Sequence, residues 1–424
     1  MPRRLALVLV LLAGCASTDE ARLAEPGGYG SGDEVGYALA RTDEGIRTVQ
    51  LYRSGDEGSL PVVGLRSGQT LTLEFDLLAD YGEPFSVYFY HADRRWQRDL
   101  LPTEYLQTFV SDDLRDYEPS LGTEVRYVHY TYEFPNQNIQ FLRSGNYVLR
   151  VTEPGDEHAV PFERAFFISE QSAEVDFAVR SGPGSYFQPL ARVNPPSGLD
   201  SPVYDYNVCF ARNGRFEQVR CATEPTLIGG SLFEFLLPRP SAFGPEGPLY
   251  ELDLSYLQAG PRIAAVDRQT SPYVVTLAPD FARFGGDLFE DALAGQTLVS
   301  TVVQDAASDP DIAGEYVEAQ FAYVPQDERE LAGPVILSGS FNDWVIDPAH
   351  ELVWNPAEQR YEGSLLVKQG RHVYRYYADD PAERERIART VNLGRPSLYT
   401  ALVYLYDPAF NTDRLVSVSN VLGR

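Results

Sequence analysis

From residue 48 onward, apolar residues recur at every second position, and this alternation restricts the fold more than any other feature of the chain. In residues 70–77, Leu71, Leu73, Phe75 and Leu77 alternate with Thr70, Thr72, Glu74 and Asp76. An extended strand turns the first set toward a core and the second toward solvent. The habit continues through 85–90, 125–132, 147–151 and 164–168, then 175–179, 203–212, 215–220, 232–237 and 250–256. It resumes in 316–324, 335–341, 361–367, 373–377, 398–406 and 415–421, with Gly, Pro, Asn and Asp between the runs. Many short strands separated by such turns form sandwiches. The expectation is an all-β, multidomain chain of β-sandwich (immunoglobulin-like or early-set) domains in tandem. The 27 Tyr and 22 Phe supply strand-forming core material. Only 101–109, opening on Leu101-Pro102-Thr103, reads as a short helix. Residues 281–294 carry a helical stripe that Gly285-Gly286 weakens.

The N-terminus follows a different logic. Arg3 and Arg4 precede an apolar run over residues 5–12, then Ala13, Gly14 and Cys15. That is the layout of a secretory signal, too short to cross a bilayer, which takes about 20 apolar residues. Leu-Ala-Gly-Cys resembles the bacterial lipobox, which implies an acylated Cys15 as the first residue of an exported lipoprotein. The expected organisation is a signal peptide over 1–14 and a flexible lipidated tether over 15–40. A sandwich follows over 41–170, a middle β domain over 171–305 and an early-set-like sandwich over 312–424. The acidic stretch 305–311 reads as a linker. The expected location is the periplasmic side of the cell envelope, anchored by lipid, in the outer membrane.

A net charge of −26 repels nucleic acid and anionic surfaces, so no nucleic-acid partner is expected. Lys368 is the single lysine among 35 basic residues. With Cys15 assigned to lipid, Cys209 and Cys221 remain as a possible disulfide, which an oxidising compartment permits. The Asn213-Gly214 turn between them sets Cys209 opposite Gln218 and Cys221 opposite Tyr206. Bridging then requires a longer loop or a bulge. None of His91, His129, His158, His350 and His372 pairs with another His, Cys or Glu at metal-ligand spacing. No Gly-x-Ser-x-Gly elbow or phosphate loop occurs. No catalytic residue, metal or cofactor is expected, and the chain reads as a non-enzyme.

Two resemblances carry function. Gly339-Ser340-Phe341-Asn342-Asp343-Trp344, Trp354, Tyr361-Glu362-Gly363, Lys368-Gln369-Gly370 and Tyr374-Arg375-Tyr376-Tyr377 resemble the early-set sandwich of glycogen-binding modules. That likeness implies possible carbohydrate binding by Trp344, Trp354 and Lys368; the alternative is that Trp344 packs under its own hairpin. Over about residues 41 to 424 the chain also shows an ordered series of motifs. They include Leu71-Thr72-Leu73-Glu74-Phe75-Asp76, His91-Ala92-Asp93-Arg94-Arg95-Trp96, Tyr127-Val128-His129-Tyr130 and Phe134-Pro135-Asn136. Ser144-Gly145-Asn146-Tyr147, Asn213-Gly214-Arg215-Phe216 and Leu366-Val367-Lys368-Gln369-Gly370 complete it. In this order they resemble the type IX secretion system plug family of Bacteroidetes. His91-x-Asp-x-x-Trp96 departs from the family's Cys-x-Ala-x-Trp-like stretch, and a lipid anchor departs from a free periplasmic plug. The family implies a non-enzymatic occluder of the periplasmic mouth of an outer-membrane translocon barrel, its partner. The rival is a cell-envelope carbohydrate-binding lipoprotein using the last domain.

Overall fold

A computed structural model describes residues 34–35, 42–182, 186–196, 202–230, 232–244, 248–282, 296–301, 309–389 and 397–423. The expected signal segment 1–14, Cys15 and most of the expected tether lie outside the described residues. No described helix is long and apolar enough to cross a membrane.

The alternating residues do form strands, and the strands stack in sheets. In the first sandwich, Ile46–Arg53, Leu71–Leu77, Val128–Phe134 and Asp116–Pro119 form one antiparallel sheet. The opposing sheet orders Val62–Gly64, Phe162–Ser169, Gly145–Thr152, Phe85–Ala92 and Ser111–Leu114, with only the Val62–Gly64 pairing parallel. Leu71, Leu73 and Phe75 meet Phe85, Phe89, Tyr130, Phe134, Phe162 and Phe166 in one core. Phe75 stacks on Tyr130 at 4.7 Å and meets Phe162 edge-on at 5.0 Å. Each fully covered Phe or Leu contributes about 1.5–3 kcal/mol. The expected short helix is Pro102–Tyr105, begun by Pro and held by Leu101 N–H donating to Glu104 Oε2 at 2.8 Å.

The second sandwich is assembled from two distant parts of the chain. Glu174–Gly182, Tyr186–Asn194, Leu232–Leu236 and Leu227–Gly229 form one sheet. The other runs Arg215–Ala222, Tyr206–Arg212, Ser397–Asp407, Thr412–Gly423. Phe177, Val193, Phe210, Phe235, Tyr399 and Val403 fill the space between them. The expected 312–424 unit is therefore corrected: its last hairpin pairs with Tyr206–Arg212, where long apolar strands complete a sheet that would otherwise end in an open edge. The expected tether is corrected at one point too. Glu34–Val35 pairs with Val219 and Arg220 on the free edge of this sheet, whose unpaired backbone groups accept any extended segment.

Between those two parts lies a third unit. One continuous hydrogen-bonded path orders Tyr250–Asp253, Gly370–Ala378, Val335–Gly339, Glu351–Asn355, Arg360–Lys368, Tyr316–Val324, Tyr273–Leu277 and Ile263–Asp267. It folds over a core of Leu252, Val275, Val317, Phe321, Val335, Tyr374 and Tyr376. The expected boundary at 305–312 does not separate cores, because strands from 250–277 join this sheet rather than the middle domain.

Candidate functional site at the domain junction

The strand Leu71–Leu77 shows where the units meet. Its second set of side chains was expected to face solvent, yet Thr72, Glu74 and Asp76 are as covered as Leu71 and Phe75. The third unit lies over that face. Asp76, 0% exposed, takes three partners: Lys368 Nζ donates to its Oδ2 at 2.6 Å, Tyr316 OH donates to the same oxygen at 2.7 Å, and His129 Nδ1 lies 2.8 Å from Oδ1. Lys368 also donates to the Asp311 carbonyl and sits 4.4 Å over the Tyr127 ring. Tyr127 OH donates to the carbonyls of Asp311 and Gly314. Backbone donors extend the seam, with Leu121 N–H to Ile312 O and Glu124 N–H to Glu315 Oε2.

This placement corrects the reading of Lys368 as a sugar ligand. At 1% exposure it has no face for a saccharide, because the junction needed a cation opposite a fully buried carboxylate. Trp354 packs on Tyr361 at 5.0 Å, half-buried. Trp344 is half-buried as well, its ring 5.5 Å from the Arg215 guanidinium and 5.7 Å from that of Arg375. It follows a 3₁₀ turn over Ser340–Asn342, where Asn342 Oδ1 accepts from Gly339 N–H at 2.8 Å. Asp343 and Trp344 have φ of 55° and 59°. Trp344 lines a cavity of about 170 Å³ where all three units meet, with Gln50, Arg164, Asn213, Arg215 and Asp343.

Electrostatics at the junction follow from burial. Burial alone would raise the Asp76 carboxyl, but Lys368 and His129 hold it below the usual range. Burial opposes protonation of His129, and Asp76 reverses the balance, so its pKa lies above the ordinary value. Burial, with the Asp311 and Glu74 charges, pushes Glu57 up to about 7. Glu74 and Asp311 are raised, chiefly by burial. Behind them, His372 sits wholly covered, with Nε2 2.8 Å from the Lys368 carbonyl and Nδ1 3.2 Å from Thr297 Oγ1; burial drives it down to about 4.

Sequence spacing offered no ligand set, yet the fold brings His129 together with Glu74 and Asp311, one oxygen or nitrogen of each within 4.8 Å of the others. His129 joins this group through the fold and not through spacing along the chain. The grouping was hidden because its members come from two strands and a turn joined only by domain packing. The two acids in the alternating run at 70–77 were the visible trace.

The second junction joins the first and second sandwiches. Trp96, Phe167 and Leu60 pack with Phe216, Leu402, Tyr404 and the Cys209–Cys221 pair. Arg94 holds Asp413 at 3.0 Å, and Arg414 grips Glu170 with two bonds of 2.8 and 2.7 Å. The two cysteines are joined and directly opposite, Cα atoms 3.9 Å apart. The Asn213-Gly214 turn pairs Arg212 with Arg215, and a bulge beyond it moves the register so that Cys209 faces Cys221. In the departing motif, His91 is buried, with Nδ1 2.7 Å from Asp99 Oδ1 and Nε2 3.2 Å from the Ser144 carbonyl.

Against known proteins, residues 46–170 match the model of the type 9 secretion system plug protein first domain. The first core runs from Ile46 to Ile168, the same span. No curated protein matches the chain. A crystal structure of a hypothetical protein from Parabacteroides merdae ATCC 43184 shares the fold, with a TM-score of 0.79 over 92% of this chain and 100% of that one at 21% identity. A plug domain ties a chain to a secretion system of the cell envelope and belongs to a non-enzymatic class. Residues 46–170 are thus a first domain of the type IX secretion plug class, carried within a longer all-β chain.

Proposed function

We propose that the protein is a periplasmic plug or accessory lipoprotein of a type IX-like secretion system, held to the outer membrane through Cys15, that occludes the periplasmic mouth of the translocon barrel when cargo is absent. The observation that carries this reading is the plug first domain, built on a complete sandwich core and braced on two sides by the rest of the chain. An occluder needs breadth and stiffness rather than a catalytic group. Charged contacts between units supply the stiffness, among them the buried Lys368 with Asp76 and the half-buried Arg414 with Glu170. Docking must be reversible, which calls for a broad, partly polar interface. An acylated Cys15 ahead of the Glu34–Val35 strand raises the local concentration beside a membrane-embedded partner without adding a contact.

The test is co-purification of the tagged protein from outer membranes, together with deletion of its gene. The barrel should copurify, and the deletion strain should admit large antibiotics while still secreting cargo. Unchanged permeability in a strain with an intact translocon and no second copy would refute occlusion. Cys15→Ser should lose the acyl mass and release the protein from membranes.

A further inference from the structure

We propose that Glu74, His129 and Asp311 form a Zn²⁺ site that pins the 309–314 turn of the third unit to the first sandwich. The proposal rests on side-chain placement and is independent of the secretion role. One ligand atom from each residue lies within 4.8 Å of the other two. Zn–N and Zn–O bonds of about 2.0–2.2 Å put tetrahedral ligand atoms about 3.3–3.6 Å apart, so capture needs roughly an ångström of side-chain movement.

The histidine is already set for the task. Its Nδ1 is held at 2.8 Å by Asp76, a carboxylate with no exposure, which leaves Nε2 as the ring nitrogen for a metal. A carboxylate behind a ligating imidazole fixes its tautomer and orientation. Glu57 stands near this group without being one of the three residues that meet. Its Oε2 is buried with no hydrogen-bond partner among the described residues, and it stands where the Asp311 and Glu74 charges act on it.

Charge balance points the same way. Asp76 is answered by Lys368, whereas Glu74 and Asp311 make no ion pair among the described residues. Glu74 and Asp311 would supply two carboxylate oxygens, and His129 one nitrogen, to a divalent cation held between the two units. An imidazole with carboxylates selects a borderline metal such as zinc over calcium or magnesium, which take oxygen ligands only.

The experiment uses the full chain stripped with a chelator and titrated with Zn²⁺ by calorimetry, with urea unfolding in parallel. Wild type should bind one Zn²⁺, and the metal should raise its urea midpoint. Glu74→Gln and the partly exposed Asp311→Asn should each weaken binding about tenfold or more, with far-UV circular dichroism confirming their folds. Co²⁺ in the wild type should give tetrahedral d–d bands without thiolate charge transfer, a readout that needs no variant. No Zn²⁺ binding by the wild type, unchanged affinity in both folded variants, or displacement by equimolar Ca²⁺ would each overturn the assignment.

Discussion

Replacing Lys368 by Met keeps the length of the side chain and removes its charge. Lys368 and Asp76 are 1% and 0% exposed, 2.6 Å apart, and belong to different units. Stranding one member of a buried pair costs about 3–5 kcal/mol. Two terms move the expected value within that range. Asp76 keeps Tyr316 and His129 as hydrogen-bond partners, which favours the lower end. The Asp311 carbonyl loses one of its two donors, keeping Tyr127 OH, and Tyr127 loses the cation over its ring, which pushes back up. A loss of about 3–4 kcal/mol is expected from urea unfolding followed by tryptophan fluorescence. The wild type offers a second measurement, since Lys368 is the only lysine in the chain. An amine-acylating reagent should leave it unmodified in the folded protein and modify it once urea is added, as read by peptide mass spectrometry. Ready acylation in the folded state, or a Lys368→Met variant within about 1 kcal/mol of wild type, would refute the buried pair.

Three further outcomes are expected. His372 has a folded pKa of about 4 against about 6.5 unfolded, so the unfolded chain takes up the proton first; stability is whole above pH 6.5 and falls by up to about 3 kcal/mol on the way down to pH 4. His372→Gln should lose that component, and identical pH dependence of the urea midpoint in variant and wild type would count against it. Gly145 has φ +149°, and an added Cβ would lie 2.4 Å from His91 Nε2, so Gly145→Ala should destabilise by about 1–3 kcal/mol; no shift in midpoint would contradict the close approach. Converting Cys209 and Cys221 to Ala together opens a loop with a separation of 12 residues and should cost about 3 kcal/mol, checked against wild type with and without reductant.

The strands were legible because period-two alternation is a local property, and Leu71, Leu73 and Phe75 point inward as their spacing requires. What escaped was what covers the other face. Glu74 and Asp76 are polar, and polarity on alternate positions reads as solvent unless a second unit arrives to supply partners. Lys368 carried the same ambiguity: a lone cation beside aromatic residues fits a sugar platform by sequence and a buried pair by structure. The path of the last hairpin was hidden for a different reason. Residues 398–406 and 415–421 are as apolar as any sheet requires, and nothing in their pattern says that their neighbour is Tyr206–Arg212 rather than a strand nearby in sequence. The Cys209–Cys221 register depended on a bulge, a three-dimensional detail that the Asn213-Gly214 turn alone does not reveal.

The insertion of the third unit into the second sandwich bears on how the body resists bending. Between tandem domains joined by one linker, hinge motion is opposed only by the interface. Here the chain enters the third unit from one part of the second sandwich and returns to complete its sheet through Ser397–Asp407 and Thr412–Gly423. The first sandwich is then gripped from both sides, by an apolar seam around Trp96 and Phe167 and by the charged seam around Asp76. The two seams do different work. Apolar burial supplies most of the free energy, at about 25 cal/mol per Å² removed from water, but tolerates sliding. A fully buried carboxylate with three directional partners adds less net stability and penalises displacement steeply, because each broken bond strands a desolvated group. The apolar seam holds the units together and the charged seam fixes their angle, the stiffness that the proposed occluding role calls for.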